Sequence, residues 1–189
     1  MEIEDSKSVI RVLGIDPSLN NFGCFAGVID LSTGYLDEPF VYLSQLPKEK
    51  PNKSVRQNSK DLQSARFHAE NLRTLIANLK PDIICVEIPV GSQSARAMAS
   101  YGICIGIISG LTAPLIQVTP TEVKLAAVGS KTATKSQMIK WAVDEFPDAC
   151  WLKHGGKLTA NNEHIADALG AIYAGVKTDQ FKLMTSLRK

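Results

Sequence analysis

The sequence predicts a mixed α/β domain, one central sheet with helices over both of its faces. Three observations predict it. Three β-rich runs come first, with no helical pattern between them. Beyond residue 60, helical patterns and short apolar strands then alternate. The chain has 189 residues, 44% hydrophobic and 21% charged, which suits one unit with a sizeable core. The formal net charge of +2 is too small to mark a polyanion binder, so any basic surface must be local.

The elements follow in order. "MEIEDSKS" (1–8) is a short polar, acidic lead, unlike a signal peptide. "VIRVLGID" (9–16) is a strand ending in an acid, and "FGCFAGVIDL" (22–31) is a second, glycine-interrupted one. "PSLNN" between them has turn chemistry, so the two form a hairpin. A third strand falls within 34–46. "PKEKPNKSVRQNSK" (47–60) is a connection with five basic residues and one acid. Ala65, Leu72, Leu75, Ile76 and Leu79 recur at helical spacing, and Pro81 ends that helix. "DIICVE" (82–87) is a buried strand that also ends in an acid. Residues 93–110 read as a helix and "PLIQV" (114–118) as a strand. Thr119, Pro120 and Glu122 carry a capping-box helix start. A polar basic loop leads to a helix over 136–146, and "CWLKHGGKLTANN" reads as a flexible approach to the final helix. Residues 9–177 make the single domain, with 178–189 as a tail.

Two function classes are excluded early. Cys24, Cys85, Cys104 and Cys150 lie far apart with no CxxC pair, and three sit in apolar runs. Buried thiols in a reducing compartment are expected, not disulfides or a zinc site. No charge occurs from Ala97 to Thr121, but Ser100, Ser109, Thr112, Pro114 and Gln117 break the run. A buried helix and strand explain it better than a membrane span.

The chemistry lies in the acids. Asp16 and Glu87 each end an apolar strand, where α/β sheets gather ligands. One such acid is ordinarily just solvated. The final helix adds His164 and Asp167, three apart and therefore on one face, with Glu163 four before Asp167. Glu163 suits the helix start through the dipole, but Asp167 sits a turn inside among alanines. If that turn docks beside Asp16 and Glu87, the cluster is self-repelling without a divalent cation. Oxygen ligands point to Mg²⁺ or Mn²⁺. Lys124, Lys131, Lys135 and Lys140 supply a basic stretch with no intervening acid, suited to phosphates.

At these residues the chain resembles a known family. "GIDPSLNNFG", "VE" at Glu87, "PTEVKLAAVGSKTATKSQM" and "HIADALGAI" resemble, in order and spacing, the RuvC Holliday-junction resolvases of bacteria and phages. The resemblance runs from about residue 9 to 176. It implies an RNase H-like (resolvase/integrase-type) fold: a five-stranded mixed sheet, its first three strands antiparallel, flanked by helices. It implies a cytoplasmic homodimer, in a bacterium or a phage-infected host, that nicks four-way and other branched DNA in pairs, leaving 5′-phosphate and 3′-hydroxyl ends. It implies two Mg²⁺ per site (Mn²⁺ substituting) held by Asp16, Glu87 and Asp167. His164 is then a metal ligand or a proton-transfer group, Lys135 approaches the scissile phosphate, and Lys124 holds backbone nearby. Ala95, Ala99, Gly102, Gly106 and Gly110 form a row of small residues suited to a dimer face. One departure stands out. Val90 occupies a position where bacterial members often carry a base-stacking aromatic, which implies relaxed sequence preference and extension to forks and flaps. Two other readings are a catalytically dead branched-DNA binder and a fragment of a sugar-kinase or actin-like ATPase.

Overall fold

A computed structural model describes residues 9–47 and 54–186. The lead (1–8), part of the basic connection (48–53) and residues 187–189 lie outside the described residues.

The five-stranded sheet has the order β3-β2-β1-β4-β5. Strands β1 (Val9–Pro17), β2 (Asn21–Asp30) and β3 (Leu36–Gln45) form an antiparallel meander. Strands β4 (Ile83–Glu87) and β5 (Leu115–Val118) add to β1 in parallel. This is the mixed five-stranded sheet with an antiparallel first half that the sequence and the resemblance led us to expect.

Alternation along each strand sorts the side chains between two cores. Leu13, Ile15, Phe22, Cys24, Ile84 and Val86 face one side, where they meet helices α1 (Gln57–Leu79) and α2 (Ala95–Ser109). Ile10, Val12, Phe25, Ile83 and Cys85 face the other. That side is covered by α3 (Pro120–Val128), α4 (Lys135–Glu145), α5 (Asn162–Gly175) and α6 (Asp179–Ser186). By the same parity Asn21, Asp16 and Glu87 belong to the α5 face. Three thiols are buried and Cys150 is exposed, with no disulfide, as expected. No helix among the described residues is long and apolar enough to cross a membrane.

Helix α5 lies closer to the sheet than side chains normally allow. A Cβ on Gly14 would sit 1.9 Å from the Ala168 carbonyl oxygen, and one on Gly23 would sit 2.1 Å from that of His164. Gly170 and Gly175 give the same relief toward Val123 and Cys85. Gly14 on β1 and Gly23 on β2 therefore form a cradle that lets the helix backbone rest on both strands.

The structure corrects the sequence reading in two segments. The approach expected to be flexible is tied down. Trp151 is buried and bonds the Phe146 carbonyl, and β6 (Lys153–His154) pairs with β7 (Lys157–Leu158). Fully buried Asn162 accepts from the Leu152 N–H and donates to the carbonyls of Leu152 and Thr159. Polar residues read as a loop thus serve as an internal staple. Likewise, residues 179–186, read as tail, form α6, whose Phe181 enters the core. An eight-residue helix with few apolar positions gives too weak a periodic signal to be read.

Candidate active site

Asp16 and Glu87 are brought together by register. Ile15 pairs with Val86 in the parallel β1–β4 ladder, and the next step along both strands carries the two acids side by side. The first turns of α5 cross this point on the Gly23 cradle. His164 Nδ1 stands 2.7 Å from Asp16 Oδ2, and both side chains are largely shielded, 16% and 14% exposed. Asp167 lies one turn further, and its Oδ1 is buried without a hydrogen-bond partner.

The charges at this point conflict. Burial first, then the charges of Asp16 and Asp167, push the Glu87 carboxyl up to about 9, with Lys124 opposing. Burial and Asp16 likewise push Asp167 up to about 7, with His164 and Lys124 opposing. For His164 burial disfavours the charge, but the Asp16 hydrogen bond and the nearby acids outweigh it and raise the imidazole above its ordinary value. Among the described residues, no three His, Cys, Asp or Glu side chains form a ready-made metal cage. The donor chemistry nonetheless fits a hard divalent cation. Carboxylates that repel one another, one of them with an orphaned oxygen, gain most from a shared positive charge.

The lysines divide. Lys135, at the first turn of α4, reaches across to Glu163 Oε2 at 2.7 Å while its side chain stays 80% exposed. That ion pair raises the Lys135 pKa. Lys124 on α3 is half-buried and electrostatically in reach of Glu87 and Asp167. Lys131 is exposed on the α3–α4 turn. Lys140 pairs with Asp144 along its own helix. It lies five residues beyond Lys135, about 140° around the helix, and no contact carries it to the cluster.

Two participants were not singled out from sequence, and a third has a second role. Asn21 Nδ2 stands 3.3 Å from His164 Nε2, and Gln45 Nε2 donates to Asn21 Oδ1 at 3.1 Å. The available signal was parity, since Asn21 is two residues before Gly23 and so shares its face. Glu163, read as a helix-start acid, does lie in the first turn but also holds Lys135.

No family model matches the chain. It is 32% identical over 139 residues to the crossover junction endodeoxyribonuclease RuvC of Magnetococcus marinus, covering 70% of each chain. It is 27% identical over 173 residues to that of Carboxydothermus hydrogenoformans, covering 88% of this chain and 95% of the relative. The fold is similar to Thermus thermophilus RuvC in complex with a Holliday junction substrate, with a TM-score of 0.61 and 17% identity over 94% of this chain and 96% of that one. It is also similar to the yeast mitochondrial Holliday junction resolvase Ydc2, with a TM-score of 0.54 and 13% identity over 93% and 83%.

Proposed function

The chain belongs to the RuvC family of crossover junction endodeoxyribonucleases, and from that membership we propose how its residues resolve Holliday junctions. It is an endonuclease of branched DNA. What supports the residue assignment is the mutual electrostatic influence of Asp16, Glu87 and Asp167 under α5, beside the His164–Asp16 contact.

Asp16, Glu87 and Asp167 would hold Mg²⁺, two ions per site, with Mn²⁺ able to replace it. Bound ions supply positive charge that polarises the phosphodiester and lowers the pKa of the attacking water. The chain's own residues do the rest. Lys124, Lys131 and Lys135 contact phosphates and set the register of the DNA. Lys135 must leave Glu163 to do so, and its exposure leaves it free to swing. His164 has Nδ1 against Asp16 and Nε2 beside the Asn21 amide, and it serves as a metal ligand or in proton transfer. Water adds to phosphorus, the P–O3′ bond breaks, and the 3′ oxygen takes a proton, leaving 5′-phosphate and 3′-hydroxyl ends.

Residues 9–177 form the nuclease domain in this reading, with α6 packed onto it. The protein acts as a homodimer through the exposed small-residue face of α2, because a two-fold symmetric junction calls for two matched cuts. A Cβ on Gly102 or Gly106 would meet nothing within 4 Å, so that face is open to a second copy. Val90 is 85% exposed on the loop before α2. It offers no flat ring for stacking, and relaxed sequence preference with cutting of forks and flaps follows.

The test compares nicking of a synthetic four-way junction with a linear duplex, with and without Mg²⁺. Metal-dependent paired nicks confined to the junction are expected. Binding without nicking under every metal condition would identify a dead relative instead.

A further inference from the structure

Gln45, Asn21, His164 and Asp16 form one chain of polar contacts that ends on a cluster carboxylate. The distances along it are 3.1, 3.3 and 2.7 Å. An asparagine amide has one donor end and one acceptor end. Gln45 occupies the acceptor end, so the end facing the imidazole is the NH₂ group, a donor. In the neutral ring, the nitrogen that faces a donor is the unprotonated one. The ring proton therefore sits on Nδ1, where Asp16 accepts it. Glu163 is the competing partner for Nε2, but its Oε1 stands 3.7 Å away, beyond hydrogen-bond reach. Its other oxygen is held by Lys135 at 2.7 Å.

The backbone fixes this arrangement. Asn21 and Gln45 are directly opposite in the β2–β3 ladder, so their side chains share a face. The turn before Asn21 is closed by reciprocal backbone bonds with Ser18, 2.8 and 3.1 Å long. Gly23, two residues on, seats the His164 backbone.

We infer that Asn21, oriented by Gln45, is a positioning residue that holds His164 as the Nδ1–H tautomer. One effect follows: the Asp16 carboxylate is held by a ring whose orientation is fixed from both sides. The catalytic consequence rests on the nuclease reading above, whereas the tautomer itself does not.

The experiment is ¹⁵N-detected NMR of the histidine rings in the full chain with EDTA and no DNA, at about pH 9, where neutral imidazole dominates. His164 is assigned as the signal lost in His164→Gln. The wild type should show a protonated Nδ1 and a bare Nε2. Asn21→Asp, which replaces the donor by an acceptor, should move the proton to Nε2 or charge the ring. Asn21→Leu should give mixed tautomers, and the exposed, milder Gln45→Leu should do so in part. Single-turnover nicking should fall about 10–100-fold in Asn21→Leu, as for other orienting partners, with junction affinity within twofold. A wild-type Nε2–H signal, or His164 signals unchanged in both Leu variants, overturns the inference. Because the NMR needs neither metal nor DNA, such a failure leaves the nuclease reading standing. Conversely, a normal spectrum beside absent junction nicking would count against that reading alone.

Discussion

Glu87 and Asp167 carry the electrostatic strain of the site, and at the scale of single residues they make the sharpest predictions. Both carboxyls titrate above their ordinary values in the folded chain, so folding takes up protons. The stability this lends is full below about pH 4. It is lost as the pH rises through about 7 for Asp167 and about 9 for Glu87. In EDTA the melting temperature should fall across that window. Glu87→Gln should flatten the upper part of the fall and Asp167→Asn the lower part, while millimolar Mg²⁺ should oppose it. Calorimetry of the three proteins at several pH values checks this, and superimposable curves would mean that the acids do not share one field. Asp16→Asn, Glu87→Gln and Asp167→Asn should each cut nicking by more than about 100-fold, the scale of lost charge stabilisation at a reacting centre. Junction binding, which the proposal assigns to the lysines, should persist. Lys135→Ala and Lys124→Ala should each flatten the log–log salt dependence of binding by about one unit.

At the scale of elements, the helix and its cradle decide whether the site exists. Gly23→Ala forces a methyl group against the His164 carbonyl, a cost of about 1–3 kcal/mol. It should also displace the turn that carries His164, so nicking should be lost even where the fold survives. Denaturant unfolding and junction assays on the same preparation separate the two effects. Gly102→Ala on α2 meets no atom within 4 Å and should instead stabilise by about 0.5–1 kcal/mol through helix propensity. The same elements show what the sequence made legible. Asp16, Glu87 and Asp167 could be read because each is an acid where an apolar pattern calls for none. Asn21 and Gln45 could not, because a polar residue beside a turn is ordinary and only the β2–β3 register brings them to the imidazole. The 150–162 staple was missed for a related reason. Asn162 is polar yet fully buried, and only its three backbone partners explain why.

At the scale of the whole molecule, two surfaces set behaviour. Gly102→Arg, on the open face of α2, should break the proposed dimer. Sedimentation should then report a monomer, and junctions should receive unpaired nicks. An unchanged dimer would move the interface elsewhere. In the proposed reading, Val90 sets how sequence is read. A base stacked on an aromatic ring contributes about 1–3 kcal/mol, and valine offers no comparable face. Nicks mapped on a mobile junction should scatter over many sequences, and Val90→Phe should sharpen them. Confinement of wild-type cuts to one short consensus would show that another residue reads the bases.

The docking of α5 on β1 and β2 also has a consequence for synthesis. Asp16 and His164, in contact in the finished protein, are 148 residues apart along the chain. The β1–β2–β3 meander is local and can pair early, whereas the helix that completes the cluster follows it by more than a hundred residues. At about 5–20 residues per second, roughly 7–30 s separate the making of the two residues on a ribosome. Throughout that interval the nascent chain holds half of a nuclease and cuts nothing. A ribosome-stalled chain ending before residue 160 should therefore be silent toward junctions, and release of the remainder should switch it on.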